Sequence, residues 1–330
     1  MAFAVGLNPY GLTYTLGLQG SNPYATGVEG FIALVVDLGL QVIEFDHRWL
    51  TPLTDDELGR LRERLHGLTV ITSFWLAHQP AETLDQAVRC TTGVGARILR
   101  FHLTPVLEGA RASLGAEWNG MLAHARATLL RESPKVAGAG LTLAVENHQD
   151  VGSEELLRLA EDLGPHAGIC LDTGNPYAVG EDPVAFVRRA AGRIRHVHLK
   201  DYVAQFTDEG YRLVRCAIGD GCVPFAEIAE MLERSGPPLT ASIEPGALAS
   251  RHIRLFNPEW WNGYPRRDAT ELAALLGRFR RGRLPDDADW RTPWELGASP
   301  AVLIEYERRQ IRRSVENLRE MGWISKPVNG

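Results

Sequence analysis

The chain has 330 residues, of which 45% are hydrophobic, so it can bury the core of one large domain or of two smaller ones. Its 35 Lys and Arg residues against 41 Asp and Glu residues give a formal net charge of −6, spread without long runs of one sign, which argues against nucleic acid or an anionic membrane as the ligand. The sequence has no CxxC spacing, no basic leader and no run of about 18 apolar residues, so we expect a cytoplasmic protein with reduced thiols.

Eight short apolar runs predict buried strands along the first three quarters of the chain. They are Phe3–Leu7, Val42–Phe45, Val70–Ser73, Ile98–Phe101, Leu141–Val145, Ala167–Leu171, Ile194–Leu199 and Leu239–Ile243. Amphipathic stretches between them predict helices at Gly27–Gly39, Thr54–Leu65, Ala81–Gly95, Ala116–Ala137, Ser153–Leu163, Pro183–Ala191 and Phe225–Ser235. Repeated β-α units of this kind close most simply into an α/β fold of the (β/α)8 TIM barrel type. A doubly wound sheet is the alternative, but the turn after the first strand lacks the GxGxxG motif.

The composition changes after residue 246. The remaining segment is rich in aromatic residues and has helical patterns at Ala269–Arg280 and Ala301–Met321. Its aromatic residues include Phe256, Trp260, Trp261, Tyr264, Trp290 and Trp294. Because no low-complexity linker precedes it, we expect a barrel over residues 1–246 and an aromatic-rich helical extension packed on it over residues 247–330. The tryptophans either pack the last helix or line a partner surface or an aromatic ligand's slot.

The last four predicted strands each lead into one side chain of a metal-binding type. Glu146, Asp172, His198 and Glu244 lie at the ends of strands five, six, seven and eight. Since neighbouring parallel strands end at the same mouth of a barrel, these side chains can meet. Three carboxylates and one imidazole suit Mn²⁺, or else Mg²⁺ or Co²⁺, better than a structural zinc site.

Several other polar residues end strands near the same mouth. His148 follows Glu146 by two residues and is a candidate general base, or else a loop histidine that orients a ligand. Lys200 follows His198 by two residues and could stabilise a developing oxyanion, or pair with a carboxylate. His196 lies deeper on the same strand and is interpreted as a supporting residue.

Three further candidates come from strands two and four. His102, Glu44 and Asp46 could bind the hydroxyl groups of a sugar, although each could equally serve as a helix cap or in an ion pair. The sequence has no GxSxG motif and no cysteine beside a candidate base, so covalent hydrolysis is not expected.

In its VEN, LDTGN, HVHLKD and IEP segments, the chain resembles the xylose-isomerase-like TIM-barrel superfamily of sugar isomerases, epimerases and dehydratases. The resemblance covers roughly residues 1–246 and implies a Mn²⁺-type ion held by the four strand-end residues. Ketose 3-epimerases in this superfamily have a Glu, a His and an Arg that bind substrate where this chain has Gly152, Asn175 and Ala204. These departures place that substrate geometry in doubt and leave Asn175 as a further candidate for substrate binding.

The large subunits of bacterial C-glycoside deglycosidases are also similar to this chain. That resemblance implies a metal, a nearby histidine base, a small partner subunit, and cleavage of the carbon–carbon bond between a 3-oxo sugar and an aromatic aglycone. In this interpretation His148, Glu146, Glu244 and Lys200 are catalytic residues. An isomerase or epimerase acting on a ketose or sugar phosphate is the alternative, and an inactive barrel that serves as an assembly subunit is a third.

Overall fold

The computed structural model describes residues 3–75, 82–236 and 238–324. Its strands are β1 (Phe3–Leu7), β2 (Val42–Asp46), β3 (Thr69–Trp75), β4 (Ile98–His102), β5 (Thr142–Glu146), β6 (Ala167–Asp172), β7 (Ile194–Leu199), β8 (Tyr202–Thr207), β9 (Gly210–Arg215), β10 (Leu239–Ile243) and β11 (Arg251–Ile253). Its helices are α1 (Gly27–Asp37), α2 (His47–Leu50), α3 (Asp55–Arg64), α4 (Glu82–Gly93), α5 (Glu117–Gly138), α6 (Ser153–Leu163), α7 (Pro183–Ala190), α8 (Phe225–Ser235), α9 (Ala269–Arg281) and α10 (Pro300–Glu320).

Eight of these strands close into a parallel barrel, in the order β1, β10, β7, β6, β5, β4, β3, β2. The predicted (β/α)8 TIM barrel is therefore confirmed, with helices following the barrel at the carboxyl-terminal end of the chain. Closure requires a glycine at one point, because a Cβ atom on Gly6 would lie 1.7 Å from the carbonyl oxygen of Val42 on the neighbouring strand. The eight predicted strands agree with the observed ones to within about two residues at each end.

The barrel helices begin and end where their local sequences favour it. Thr54 and Glu57 form a reciprocal capping box at the start of α3, as the spacing of the two residues predicts. The predicted helix Ala81–Gly95 has its first residue outside the described part of the chain, and α4 is seen from Glu82 to Gly93. No helix in the described ranges is both long enough and apolar enough to span a membrane.

One substructure lies outside the eight predicted strands. Between β7 and α8, the chain forms the antiparallel hairpin β8–β9, and β11 adds to it as a third strand. Tyr202, the first residue of β8, lies only two positions after Lys200. This small sheet therefore stands directly beyond the carboxyl end of β7, where it can form a wall of the barrel mouth.

The carboxyl-terminal segment packs against both ends of the barrel. The Trp323 ring stacks on Phe3, the first residue of β1, with ring centroids 4.3 Å apart. On α10, the buried Glu307 carboxylate accepts hydrogen bonds from the backbone N–H groups of Tyr14 and Thr15 and from the Thr15 hydroxyl group. These contacts fix the loop after β1, which lies at the carboxyl end of the strands.

Candidate active site and metal centre

Four side chains from neighbouring strands converge at the carboxyl-terminal mouth of the barrel. Glu146 ends β5, Asp172 ends β6, His198 lies one residue before the end of β7, and Glu244 directly follows β10. Their candidate ligand atoms all lie within 4.8 Å of one another, and all four side chains are buried. The structure thus brings together the four residues that the sequence assigns to a metal site.

The His198 imidazole is oriented so that its Nδ1 atom faces this group. Nδ1 lies 2.8 Å from Oε2 of Glu244 and 3.5 Å from Oε1 of Glu146. Neither Nδ1 of His198 nor Oε2 of Glu244 has a hydrogen-bond partner of good geometry among the described residues, although both atoms are buried. Buried polar atoms without partners, pointing at a common centre, are what a ligand set for an ion presents.

The other edge of His198 contacts Glu44, which comes from β2 on the opposite side of the barrel. Nε2 of His198 lies 3.0 and 3.1 Å from the two carboxylate oxygens of Glu44. Glu44 also contacts Nε2 of His196 at 3.3 Å and accepts a hydrogen bond from Ser73. Burial opposes ionisation, yet His198 and His196 hold the pKa of Glu44 well below its usual range. A carboxylate that orients a ligating imidazole in this way is a common support in metal sites.

Two buried cations accompany the carboxylates. Arg100, from β4, forms an ion pair with Glu146. Lys200 forms ion pairs with Asp172 and, at 2.9 Å, with Oε1 of Glu244. Against the effect of burial, these carboxylates raise the pKa of Lys200. The two cations therefore hold the carboxylates in place on the side that faces the cavity.

The charges of this cluster fit a divalent cation. Its buried acidic side chains within the described ranges are Glu44, Glu146, Asp172 and Glu244, and its buried Arg and Lys side chains are Arg100 and Lys200. With both imidazoles neutral, as a metal-bound His198 would be, four negative charges against two positive ones leave an excess of two, which one divalent ion would balance. Without an ion, and against the effect of burial, Cys170, Glu44 and Glu244 raise the pKa of His198 well above its usual value. Burial raises the pKa of Asp172, although Lys200 opposes the shift, so the protein alone leaves this carboxylate incompletely compensated. Carboxylate oxygens plus one imidazole are suitable ligands for such an ion.

A cavity of about 320 Å³ opens above this cluster. His148 lines it, and its ring stacks on that of His102 with centroids 4.8 Å apart. Burial, reinforced by the positive charges of Lys200 and Arg100, lowers the pKa of His148 to about 3. Its imidazole is therefore neutral near pH 7. The other lining residues include Tyr10, Trp75, Tyr202, Gln149, Lys200, Glu244 and Arg251.

Three other residues singled out in the sequence, Asn175, Glu44 and Asp46, are not among the residues that line this cavity. Nδ2 of Asn175 lies 3.5 Å from Oε1 of Glu146. Glu44 is behind His198 and is not among the residues lining the cavity. Asp46 caps α2 through the backbone N–H of Arg48 and forms an ion pair with the Arg48 side chain. Substrate binding by Glu44, Asp46 or Asn175 stays a prediction.

Tryptophans of the carboxyl-terminal extension make their contacts outside the cavity. The Trp260 indole N–H donates to the carbonyl oxygen of Glu108, and the Trp260 ring stacks on Tyr264. Trp294 packs edge-on against Tyr14. In the described part of the carboxyl-terminal extension, Ala247 and Arg251 line the cavity and no tryptophan does.

Several residues of the site were not predicted from the sequence. Arg100 had a detectable signal, since it is a charged residue in the otherwise apolar run ILRFH and is in phase with His102. Tyr10 and Trp75 had a weaker sequence signal, since Tyr10 lies shortly after β1 and Trp75 is the last residue of β3. Their rings lie 6.2 Å apart and form an aromatic wall of the cavity.

Comparison with known proteins is consistent with this architecture. The family described as "Xylose isomerase-like TIM barrel" matches residues 32–259 of the chain. The chain is 24% identical over 187 residues to the uncharacterized protein YihM of Escherichia coli, a match that covers 56% of this chain and 55% of that protein. It is 25% identical over 226 residues to a 3-oxo-isoapionate decarboxylase of Pectobacterium atrosepticum, covering 67% of this chain and 78% of that enzyme. An inosose dehydratase of Halalkalibacterium halodurans is 29% identical over 119 residues, 31% of this chain and 39% of the dehydratase.

Two solved structures share the fold at low sequence identity. A D-psicose 3-epimerase crystallised in the presence of D-fructose has a TM-score of 0.59 at 15% identity, covering 96% of this chain and 99% of the epimerase. A Mycobacterium smegmatis protein in complex with magnesium has a TM-score of 0.56 at 15% identity, covering 80% of this chain and 95% of that protein. The family match extends over more than half of the chain and includes all four candidate metal ligands. The chain belongs to the xylose isomerase-like TIM barrel family.

Proposed function

We propose that this protein is a divalent-metal-dependent lyase that acts on a 3-oxo sugar and cleaves its carbon–carbon bond to an aromatic aglycone. The observation that carries the proposal is the position of a neutral imidazole, His148, in an aromatic-walled cavity directly above four buried metal-type ligands. A carbohydrate isomerase or epimerase is the runner-up.

The ion would be held by Glu146, Asp172, Nδ1 of His198 and Glu244. Mn²⁺ is the proposed ion, since one imidazole among carboxylates suits it, and Mg²⁺ and Co²⁺ are the alternatives. When bound, a divalent ion supplies stabilisation of the negative charge that develops on a carbonyl oxygen. Lys200, whose ammonium group lines the same cavity, adds a second positive charge at that oxygen.

In the proposed reaction, His148 accepts the proton from the carbon next to the 3-oxo group. The electron pair of that C–H bond moves toward the carbonyl oxygen, and it returns to expel the aglycone at the adjacent anomeric carbon. The bond to the aryl carbon breaks, that carbon takes up the proton from His148, and a double bond remains between the deprotonated carbon and the anomeric carbon of the sugar. Tyr10, Trp75 and Tyr202 would stack on the aglycone, because aromatic side chains bury planar rings well.

Three observations favour the lyase over an epimerase. The positions at which ketose 3-epimerases bind substrate are Gly152, Asn175 and Ala204 here. A side chain at residue 152 would meet the Arg267 guanidinium and not the cavity. One relative is named as a decarboxylase of a 3-oxo compound, a reaction that also breaks a carbon–carbon bond.

The position of Glu146 and Glu244 supports the alternative function as an epimerase. Both carboxylates flank Nδ1 of His198, so two metal-bound glutamates could face a substrate and pass a proton across it. Each glutamate is paired with a cation, Arg100 or Lys200, and the same two cations lower the pKa of His148, so basicity alone does not separate the two reactions.

The metal is tested first. Elemental analysis of the purified protein is expected to find about one divalent ion per chain, and His198→Ala and Glu244→Gln variants are expected to lose most of it. Exposed Glu29 pairs with Arg64 on the outer surface, so Glu29→Gln is the matched control. Undiminished metal in both site variants would remove the basis of the proposal.

The reaction is tested by incubating the metal-loaded protein with a 3-oxo-C-glycoside and, separately, with a free ketose. Release of free aglycone supports the lyase, whereas an epimerised or isomerised ketose supports the runner-up. The proposal includes a small partner subunit that meets the carboxyl-terminal extension, residues 247–330, so each assay is run with and without the small proteins encoded beside this chain. Absence of turnover in every arm would favour an inactive assembly subunit.

A further inference from the structure

Arg251 is held rigidly at the rim of the cavity by the small sheet beyond β7. It begins β11 and pairs with Leu213 on β9. The next residue, His252, donates its backbone N–H to Oε1 of Glu108 at 3.1 Å. Side chains alternate along a strand, so Arg251 shares a face with the buried Ile253, whereas His252 points the other way. The backbone thus directs Arg251 inward.

Among the residues that the structure describes, the Arg251 guanidinium has no counterion, unlike the other cations of the cavity. Arg100 and Lys200, the other two cations among the lining residues, are both paired with carboxylates of the metal site. Arg251 makes no ion pair and no side-chain hydrogen bond with any residue in the described ranges, and its Nε atom is buried. Nearby Arg254, by contrast, is paired with two glutamates on the outer surface.

An arginine that lines a ligand cavity with its charge uncompensated is suited to bind an anion. The planar guanidinium matches a carboxylate in shape and donates two parallel hydrogen bonds to it. Arg251 stands on the outer sheet with Tyr202, whereas the metal ligands lie at the ends of the barrel strands below. It therefore lies on the same side of the cavity as Tyr202, which the proposed reaction places against the aglycone.

We propose that Arg251 binds an acidic group, a carboxylate, on the aglycone of the substrate. The identification of the bound group as an aglycone rests on the proposed function. The inference narrows the substrate class to glycosides whose aromatic part is anionic. Neutral aglycones of the same shape would bind more weakly.

The test is calorimetric titration of the metal-loaded protein with two probes of nearly equal size, 4-hydroxybenzoate and 4-hydroxybenzamide. The wild-type protein is expected to bind the benzoate at least 10-fold more tightly, in line with a charge-assisted bidentate contact. An Arg251→Gln variant should reduce this preference to about twofold or less, and Arg251→Lys should retain part of it. Arg254→Gln, which changes an arginine outside the cavity, should leave it unchanged.

The bound metal does not confuse the comparison, because it is present in every variant. Equal binding of the two probes by the wild-type protein, binding of neither, or an undiminished preference in Arg251→Gln would overturn the inference. A preference seen only for D-glucose 6-phosphate over D-glucose would also overturn it, because the anion would then belong to the sugar.

The outcome is separable from that of the lyase assay. A benzoate preference that depends on Arg251 supports the anion site even when no aglycone is released, and the proposed reaction then fails alone. Aglycone release without that preference supports the reaction and overturns the assignment of Arg251.

Discussion

Replacing Glu44 with glutamine would preserve the size of a fully buried side chain while removing the charge that supports His198. The carboxylate contacts three donors: Nε2 of His198, Nε2 of His196 and the hydroxyl group of Ser73. The amide of glutamine keeps one acceptor oxygen but presents an NH₂ group toward at least one of those donors. The imidazole of His198 would then be less firmly oriented and less basic at Nδ1.

The size of the effect follows from these contacts. Loss of about one buried hydrogen bond costs roughly 0.5–1.5 kcal/mol, and hydrogen bonds to charged groups are worth about 1.5–3 kcal/mol. Loss of an outer support of a metal-bound histidine typically reduces metal affinity by about 10–100-fold, which is about 1.4–2.7 kcal/mol. The two estimates agree, so a 10–100-fold weaker Mn²⁺ affinity is expected for Glu44→Gln.

Titration of the metal-free protein with Mn²⁺ measures this affinity directly, and thermal unfolding of the same samples reports on the fold. The control is Glu29→Gln, which removes an exposed carboxylate far from the site and should leave the Mn²⁺ affinity unchanged. Binding by Glu44→Gln within twofold of the wild-type value, in a folded protein, would show that Glu44 does not support the metal ligand.

Four further changes separate chemistry from stability. His148→Ala should retain the metal yet lose about 10²-fold or more in turnover, as is typical for the loss of a general base. Full activity in this variant would show that another group accepts the proton. Glu307→Ala should lower the free energy of unfolding, measured in urea, by about 2–4 kcal/mol, because buried backbone N–H groups lose their hydrogen-bond acceptor. An unchanged midpoint of urea unfolding would contradict this. Trp323→Ala should cost about 3–5 kcal/mol through its contact with Phe3 without changing metal affinity; unaltered stability would refute the packing role. Trp75→Ala, at a partly exposed position in the cavity wall, should instead raise the KM for an aromatic glycoside at nearly constant stability.

Much of the barrel is determined by local sequence. Buried parallel strands are apolar on both faces, so each appears as a short uninterrupted apolar run, and the intervening helices have their own periodicity and caps. The ends of strands are also local features, which is why the sequence alone assigns Glu146, Asp172, His198 and Glu244 to one mouth of the barrel. The hairpin β8–β9 was missed, although its alternating residues around Asp208 and Glu209 carry a signal for it.

What only the tertiary structure decided is which side chains meet across the barrel. Glu44 and His198 are 154 positions apart and come from strands on opposite sides, so no local pattern distinguishes a support for a metal ligand from a sugar-binding residue at that position. The same holds for the ion pair between Arg100 and Glu146, and for Arg251, which a separate sheet carries over the cavity. Sequence periodicity specifies the direction of a side chain relative to its own strand, whereas burial and charge pairing depend on the closure of the whole barrel and on the elements packed over its mouth.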